Sequence, residues 1–94
     1  MTIIDSNSNF IEVKGHSGYA CYGSDIVCAA ISTLVESTYN YLKLTNNNVD
    51  LEEKEAYFKI ILISLNETGK AIINGFNSMI DELITQYSEF IGRK

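Results

Sequence analysis

Ninety-four residues, 46% hydrophobic and 20% charged, suffice for one small folded domain over residues 1–94 and exclude both two domains and a disordered chain. A net charge of −5 with no Lys/Arg cluster argues against a nucleic-acid partner and for a basic one. No apolar run, that of Ile60–Ile63 included, approaches the length of a membrane span. No basic stretch followed by an apolar one marks an export signal. The expectation is therefore a cytoplasmic protein without a membrane partner, its two cysteines reduced, and stabilised by dimerisation at this size.

In chain order, Thr2 to Ile4 is β-prone, and Asp5-Ser6-Asn7-Ser8-Asn9 is a dense turn signal. Ile11 and Val13 then alternate with Glu12 and Lys14, the period of a half-buried strand. This predicts a hairpin with strands near 2–5 and 9–15. Gly15 to Gly23 reads as a loop. Ser24 or Asp25 supplies the cap of a first helix, whose buried face runs through Val27, Ile31, Leu34, Val35, Thr38, Tyr41 and Leu42. That helix should end near Leu44, before Thr45-Asn46-Asn47-Asn48.

Val49 and Leu51 suggest a half-exposed strand, Glu53-Lys54 a tight connection, and Ala56 to Ile63 a second, more buried strand. Asn66 to Thr68 caps a second helix with Ile72, Ile73, Phe76, Met79, Ile80, Leu83, Ile84 and Tyr87 on its apolar face. Gly69 and Gly75 weaken its early turns. Phe90 to Lys94 is a tail that docks or frays. The expected fold is α/β of the α+β kind, ordered ββαββα, with two helices on a mainly antiparallel four-stranded sheet.

The chemistry concentrates between Gly15 and Ser32, which hold the only histidine, His16, and both cysteines, Cys21 and Cys28. Cys28 is the third helical residue if Asp25 is the cap and the fourth if Ser24 is. Either place lies beside unpaired N–H groups and the positive end of the helix dipole, which favour a thiolate. Those N–H groups could also receive a developing oxyanion. His16 has an ordinary pKa near neutrality and could take the thiol proton and later protonate a leaving amine.

The bland readings stand beside these. Cys28 borders the apolar stripe and suits a buried structural cysteine, and a lone histidine at a strand end suits a surface turn. Asp25 suits a helix-start charge, and Ser32 a hydroxyl bonded to its own helix. Cys21 and Cys28 have the wrong spacing for a C-x-x-C pair, and one histidine leaves no evident four-ligand zinc site. No phosphate-binding glycine motif occurs, so no cofactor is expected.

Gly15-His16-Ser17-Gly18-Tyr19-Ala20, then Gly23-Ser24-Asp25-Ile26-Val27-Cys28-Ala29-Ala30-Ile31-Ser32, resemble the ribosomal-processing cysteine protease family of bacteria. The family pattern is G-H-(A/S)-G-Y-A followed by G-x-D-I-V-C-A-A-(V/I)-S, at the same histidine-to-cysteine interval. The resemblance implies Cys28 as nucleophile and His16 as base, with Gly15, Asp25 and Ser32 supporting the site. It implies Gly18, Tyr19 and Gly23 in a mobile substrate loop. It further implies a homodimeric α/β sandwich whose substrate is the basic precursor of a large-subunit ribosomal protein. Cleavage after a phenylalanine would remove that precursor's N-terminal extension. Cys21 departs from the polar or acidic residue expected there. A non-catalytic, ribosome-associated peptide-binding domain, and a redox sensor using Cys21 and Cys28, remain the other readings.

Overall fold

The computed structural model describes every residue except 22–24, so Gly23 and Ser24 lie outside the described residues. The chain runs β1 (Thr2–Ser6), β2 (Phe10–Lys14), α1 (Ile26–Leu44), β3 (Asn48–Lys54), β4 (Tyr57–Ser64), α2 (Glu67–Gln86) and β5 (Ile91–Arg93). The strands form one sheet in the order β3-β4-β2-β1-β5. Register puts alternate residues in cross-strand rows on one face: Ile4 opposite Val13 opposite Phe58, Ile11 opposite Ile60 opposite Leu51, and Val49 opposite Leu62. Against this face α1 buries Val27, Ile31, Val35 and Leu42, and α2 buries Phe76 and Ile80, closing one core.

Two details of the sheet depart from expectation. The expected sheet has four strands, and the observed one has five, because the tail docks as β5 parallel to β1. The Thr2 N–H donates to Phe90 O and the Lys94 N–H to Ile4 O, each at 2.9 Å, and Ile91 is buried opposite Thr2. Without β5, the outer edge of β1 would present its backbone groups unpaired. The tight connection is Glu55-Ala56, not Glu53-Lys54, since Lys54 pairs with Tyr57. Ala56 takes φ +52°, an uncommon conformation for alanine, and its carbonyl accepts from the Gly15 N–H at 2.8 Å, extending the β2–β4 ladder.

The α1–β3 connection is built by asparagines. Asn46 has φ +65°. Its N–H donates to Lys43 O at 3.3 Å and the Asn47 N–H to Leu42 O at 3.0 Å, the Schellman pattern that satisfies the last helical carbonyls. The buried Asn47 side chain donates to Leu42 O at 3.2 Å and Thr45 Oγ1 at 2.9 Å, and accepts from the Asn66 N–H at 2.8 Å. It lies against Gly69, where a Cβ would overlap it. Gly69 thus makes room for the amide that joins the end of α1 to the start of α2.

Candidate active site

The site is assembled where β2 ends and α1 begins. Gly15, at φ +92°, turns the chain off β2. A Cβ there would stand 2.7 Å from Met1 O, so the close approach requires glycine. The Gly15 carbonyl accepts from Thr2 Oγ1 at 2.8 Å, and its N–H is held by Ala56 O. His16 leaves this pinned residue exposed, while Ser17 is 2% exposed.

Asp25 is the N-cap of α1. Its Oδ1 accepts from the Val27 and Cys28 N–H groups at 3.0 and 2.9 Å. Its Oδ2 accepts from the Ser17 hydroxyl at 2.5 Å and from the Tyr19 and Ala20 N–H groups at 3.2 and 3.4 Å. Burial pushes the Asp25 carboxyl up. The Ser17 hydroxyl, the Cys28 and Ala20 N–H groups and the Cys28 side chain outweigh it and hold the carboxyl down at about 2. One carboxylate therefore starts the helix and straps the segment after His16 onto it.

Cys28, half-buried, is the third residue of α1. Its sulfur accepts from the Ser17 N–H at 3.3 Å and donates to Ser17 Oγ at 3.5 Å. The expected supply of open helix N–H groups is largely committed: Val27 and Cys28 bond the Asp25 side chain, and the Ala29 N–H bonds Asp25 O at 3.1 Å. The donor aimed at the sulfur is that of Ser17, which composition and spacing did not single out. Its only sequence signal is its place directly after the histidine, where the family pattern accepts alanine or serine.

Gly15, His16, Gly18, Asp25, Cys28 and Ser32 line one cleft of about 580 Å³. Val13, Ile31, Ala56 and Phe58 give it apolar walls, and Lys54 at the end of β3 and Glu55 of the β3–β4 turn bring charge to it. Tyr19 does not line it. Its ring meets Tyr87 and Phe90 edge-on, with centroids 5.8 and 5.3 Å away, tying the loop to the chain's end. Both cysteines are free thiols, Cys21 exposed. Among the described residues no group of acidic, histidine or cysteine side chains is arranged to hold a metal ion, and no helix is long and apolar enough to cross a membrane.

No curated protein sequence matches the chain. Among solved structures, it is similar to the essential ribosomal processing protease Prp from S. aureus in complex with a covalently linked product peptide. The two share 24% identity over 100% of both chains, with a TM-score of 0.87. The same S. aureus protease with a substrate peptide matches at 22% identity over 99% of this chain and 95% of that one, TM-score 0.78. SMU.848 from Streptococcus mutans matches at 29% identity over 99% and 88%, TM-score 0.73. The family model of cysteine protease Prp matches residues 2–92, nearly all of the sequence, and the chain belongs to that family of cysteine proteases.

Proposed function

We propose that the chain is a cysteine endopeptidase that removes the N-terminal extension of a large-subunit ribosomal protein precursor, with Cys28 as nucleophile and His16 as general base. The observation that carries this reading is that Cys28, held in the first turn of α1, and His16, just past β2, open on the same cleft. His16 takes the thiol proton as the sulfur attacks the scissile carbonyl. The same proton passes to the departing amine as the C–N bond breaks. Water activated by His16 then cleaves the thioester and restores the thiol. Gly15 fixes the approach of His16, Asp25 holds the first turn of α1, and Ser32 lies one turn beyond Cys28.

The apolar walls at Val13, Ile31, Ala56 and Phe58 suit an aromatic side chain just before the cleaved bond. The net charge of −5 favours encounter with a basic ribosomal protein. The S. aureus relative bears a product peptide in one structure and a substrate peptide in another, which supports a peptide in this cleft. The proposal extends to one protease domain over residues 1–94 that acts as a cytoplasmic homodimer without a cofactor or nucleic acid. Gly18, Tyr19 and Gly23 belong to its substrate loop.

Mass spectrometry of the ribosomal-protein precursor, incubated with wild-type and variant chains, tests this reading. Wild type and Cys21→Ser should shorten the precursor at one bond, and Cys28→Ala and His16→Ala should leave it intact. Full activity in Cys28→Ala would remove the dyad. A wild-type protein that binds the precursor without cutting it would favour the peptide-binding alternative.

A further inference from the structure

Ser17 bridges the cap of α1 and the cysteine sulfur, beside the direct interaction of the Cys28 side chain with the Asp25 carboxyl. All three bonding positions of its hydroxyl are used: the hydrogen on Asp25 Oδ2 at 2.5 Å, and the oxygen accepting from the Cys28 sulfur at 3.5 Å and the Tyr19 N–H at 3.3 Å. Its own N–H points at the same sulfur from 3.3 Å. At 2% exposure, water does not compete for these groups. The arrangement suits a neutral thiol, which has a hydrogen to give to Ser17 Oγ. It cannot persist unchanged once that hydrogen is gone, because a thiolate would face an oxygen lone pair.

The way out lies in the surplus of donors on Asp25. Without the Ser17 hydroxyl, the carboxylate still accepts from the N–H groups of Val27, Cys28, Tyr19 and Ala20. The hydroxyl can therefore turn about its Cβ–Oγ bond and donate to the sulfur without leaving Asp25 unsatisfied. We propose that Ser17 is a positioning residue of the protease site, whose hydroxyl changes acceptor from Asp25 to Cys28 as the thiolate forms, while its N–H holds the sulfur throughout. This rests on Cys28 being the nucleophile. No proton is transferred by Ser17: the thiol proton leaves to His16, and the serine hydrogen stays on its own oxygen. The exchange gives up the thiol's bond to Ser17 Oγ and the serine's bond to Asp25, whose carboxylate keeps its four N–H donors, and gains a charge-assisted bond to a thiolate that would otherwise face a lone pair. The family pattern accepts alanine at this position, so the device belongs to this chain's own serine and not to the site's minimum.

The test is the pH dependence of iodoacetamide alkylation at Cys28, read by peptide mass spectrometry, for wild type, Ser17→Ala and Ser17→Gly. The titratable groups around the sulfur and its cleft are His16, Asp25, Lys54 and Glu55, and all are retained in these variants. Both variants lack the hydroxyl and keep the backbone N–H. Each should show an alkylation midpoint about one pH unit higher, with about tenfold slower alkylation below the midpoint. The glycine variant provides the reading if the alanine variant does not fold. Midpoints equal to wild type in a folded variant, shown by its circular dichroism, would overturn the proposal. Precursor cleavage by Cys28→Ala, run alongside, separates the two claims. An active Cys28→Ala removes the nucleophile assignment, whereas an inactive one with unshifted Ser17 variants removes only the role of Ser17.

Discussion

Replacing Asp25 by asparagine should destabilise the protein, and should do so in a pH-dependent way. Asparagine keeps one carbonyl oxygen for the Val27 and Cys28 N–H groups. Its amide nitrogen cannot accept from the Ser17 hydroxyl or from the Tyr19 and Ala20 N–H groups. In the folded protein the carboxyl titrates at about 2, against 3.8 ordinarily. That depression corresponds to about 2 kcal/mol at full strength. Asp25 is only partly buried, so solvent screening reduces the expected effect to about 1 kcal/mol. For a chain of this size, about 1 kcal/mol is a fall of roughly 4–8 °C in Tm. Because the folded value lies below the unfolded one, the stabilisation is complete above about pH 5 and fades as pH falls through 3.8 towards 2. Thermal unfolding of wild type and Asp25→Asn, followed by circular dichroism between pH 2.5 and 7, should show a Tm gap that is constant above about pH 5 and narrows below pH 4. A gap of the same size at pH 2.5 and pH 6 would show that carboxylate charge is not its source. No gap at pH 6 would show that the strap contributes nothing.

Two further substitutions probe the junction of α1 with α2 and the loop after His16. Gly69→Ala would raise helix propensity by about 1 kcal/mol on intrinsic grounds. A Cβ there overlaps Asn47, so chemical denaturation should instead show a net loss of about 1–3 kcal/mol, and a stabilised variant would refute the packing reason. Tyr19→Ala removes ring contacts with Tyr87 and Phe90, each worth about 0.5–1.5 kcal/mol in such pairs. Limited proteolysis should then cut faster between Ser17 and Cys21 while the circular dichroism stays unchanged, and an unaltered cutting rate would show that the rings do not hold the loop.

The helices were legible because each carries an apolar stripe long enough to repeat, and β2 because Ile11 and Val13 alternate with charges. What escaped reading is set by partners distant in sequence. β5 has three residues, too few to display a period, and becomes a strand because β1 offers an edge. The Glu55-Ala56 turn lacks turn residues. Its fixed point is Lys54 opposite Tyr57, with the ladder continuing through Gly15 and Ala56 O. Gly69 reads as a weak helical residue until Asn47, 22 positions earlier, is folded against it. At the site, the two motifs bring forward His16, Cys28, Gly15, Gly18, Asp25 and Ser32, which line the cleft together. They do not disclose that Ser17 touches both Asp25 and Cys28, because its neighbour relations exist only once the loop lies on the helix.

The use of one carboxylate for two tasks ties local structure to chemistry. A helix start needs an acceptor for its first N–H groups, and any good cap would supply one. Asp25 spends only Oδ1 on that task and turns Oδ2 to the chain just after His16. The first turn of α1, which carries Cys28, and the segment that carries His16 are thus joined at one side chain. A neutral cap such as serine could start the helix, but it would not hold Ser17, Tyr19 and Ala20 as well. Substitution of Asp25 should therefore impair the site beyond its cost in stability, because what it loosens is the placement of two cleft residues relative to each other.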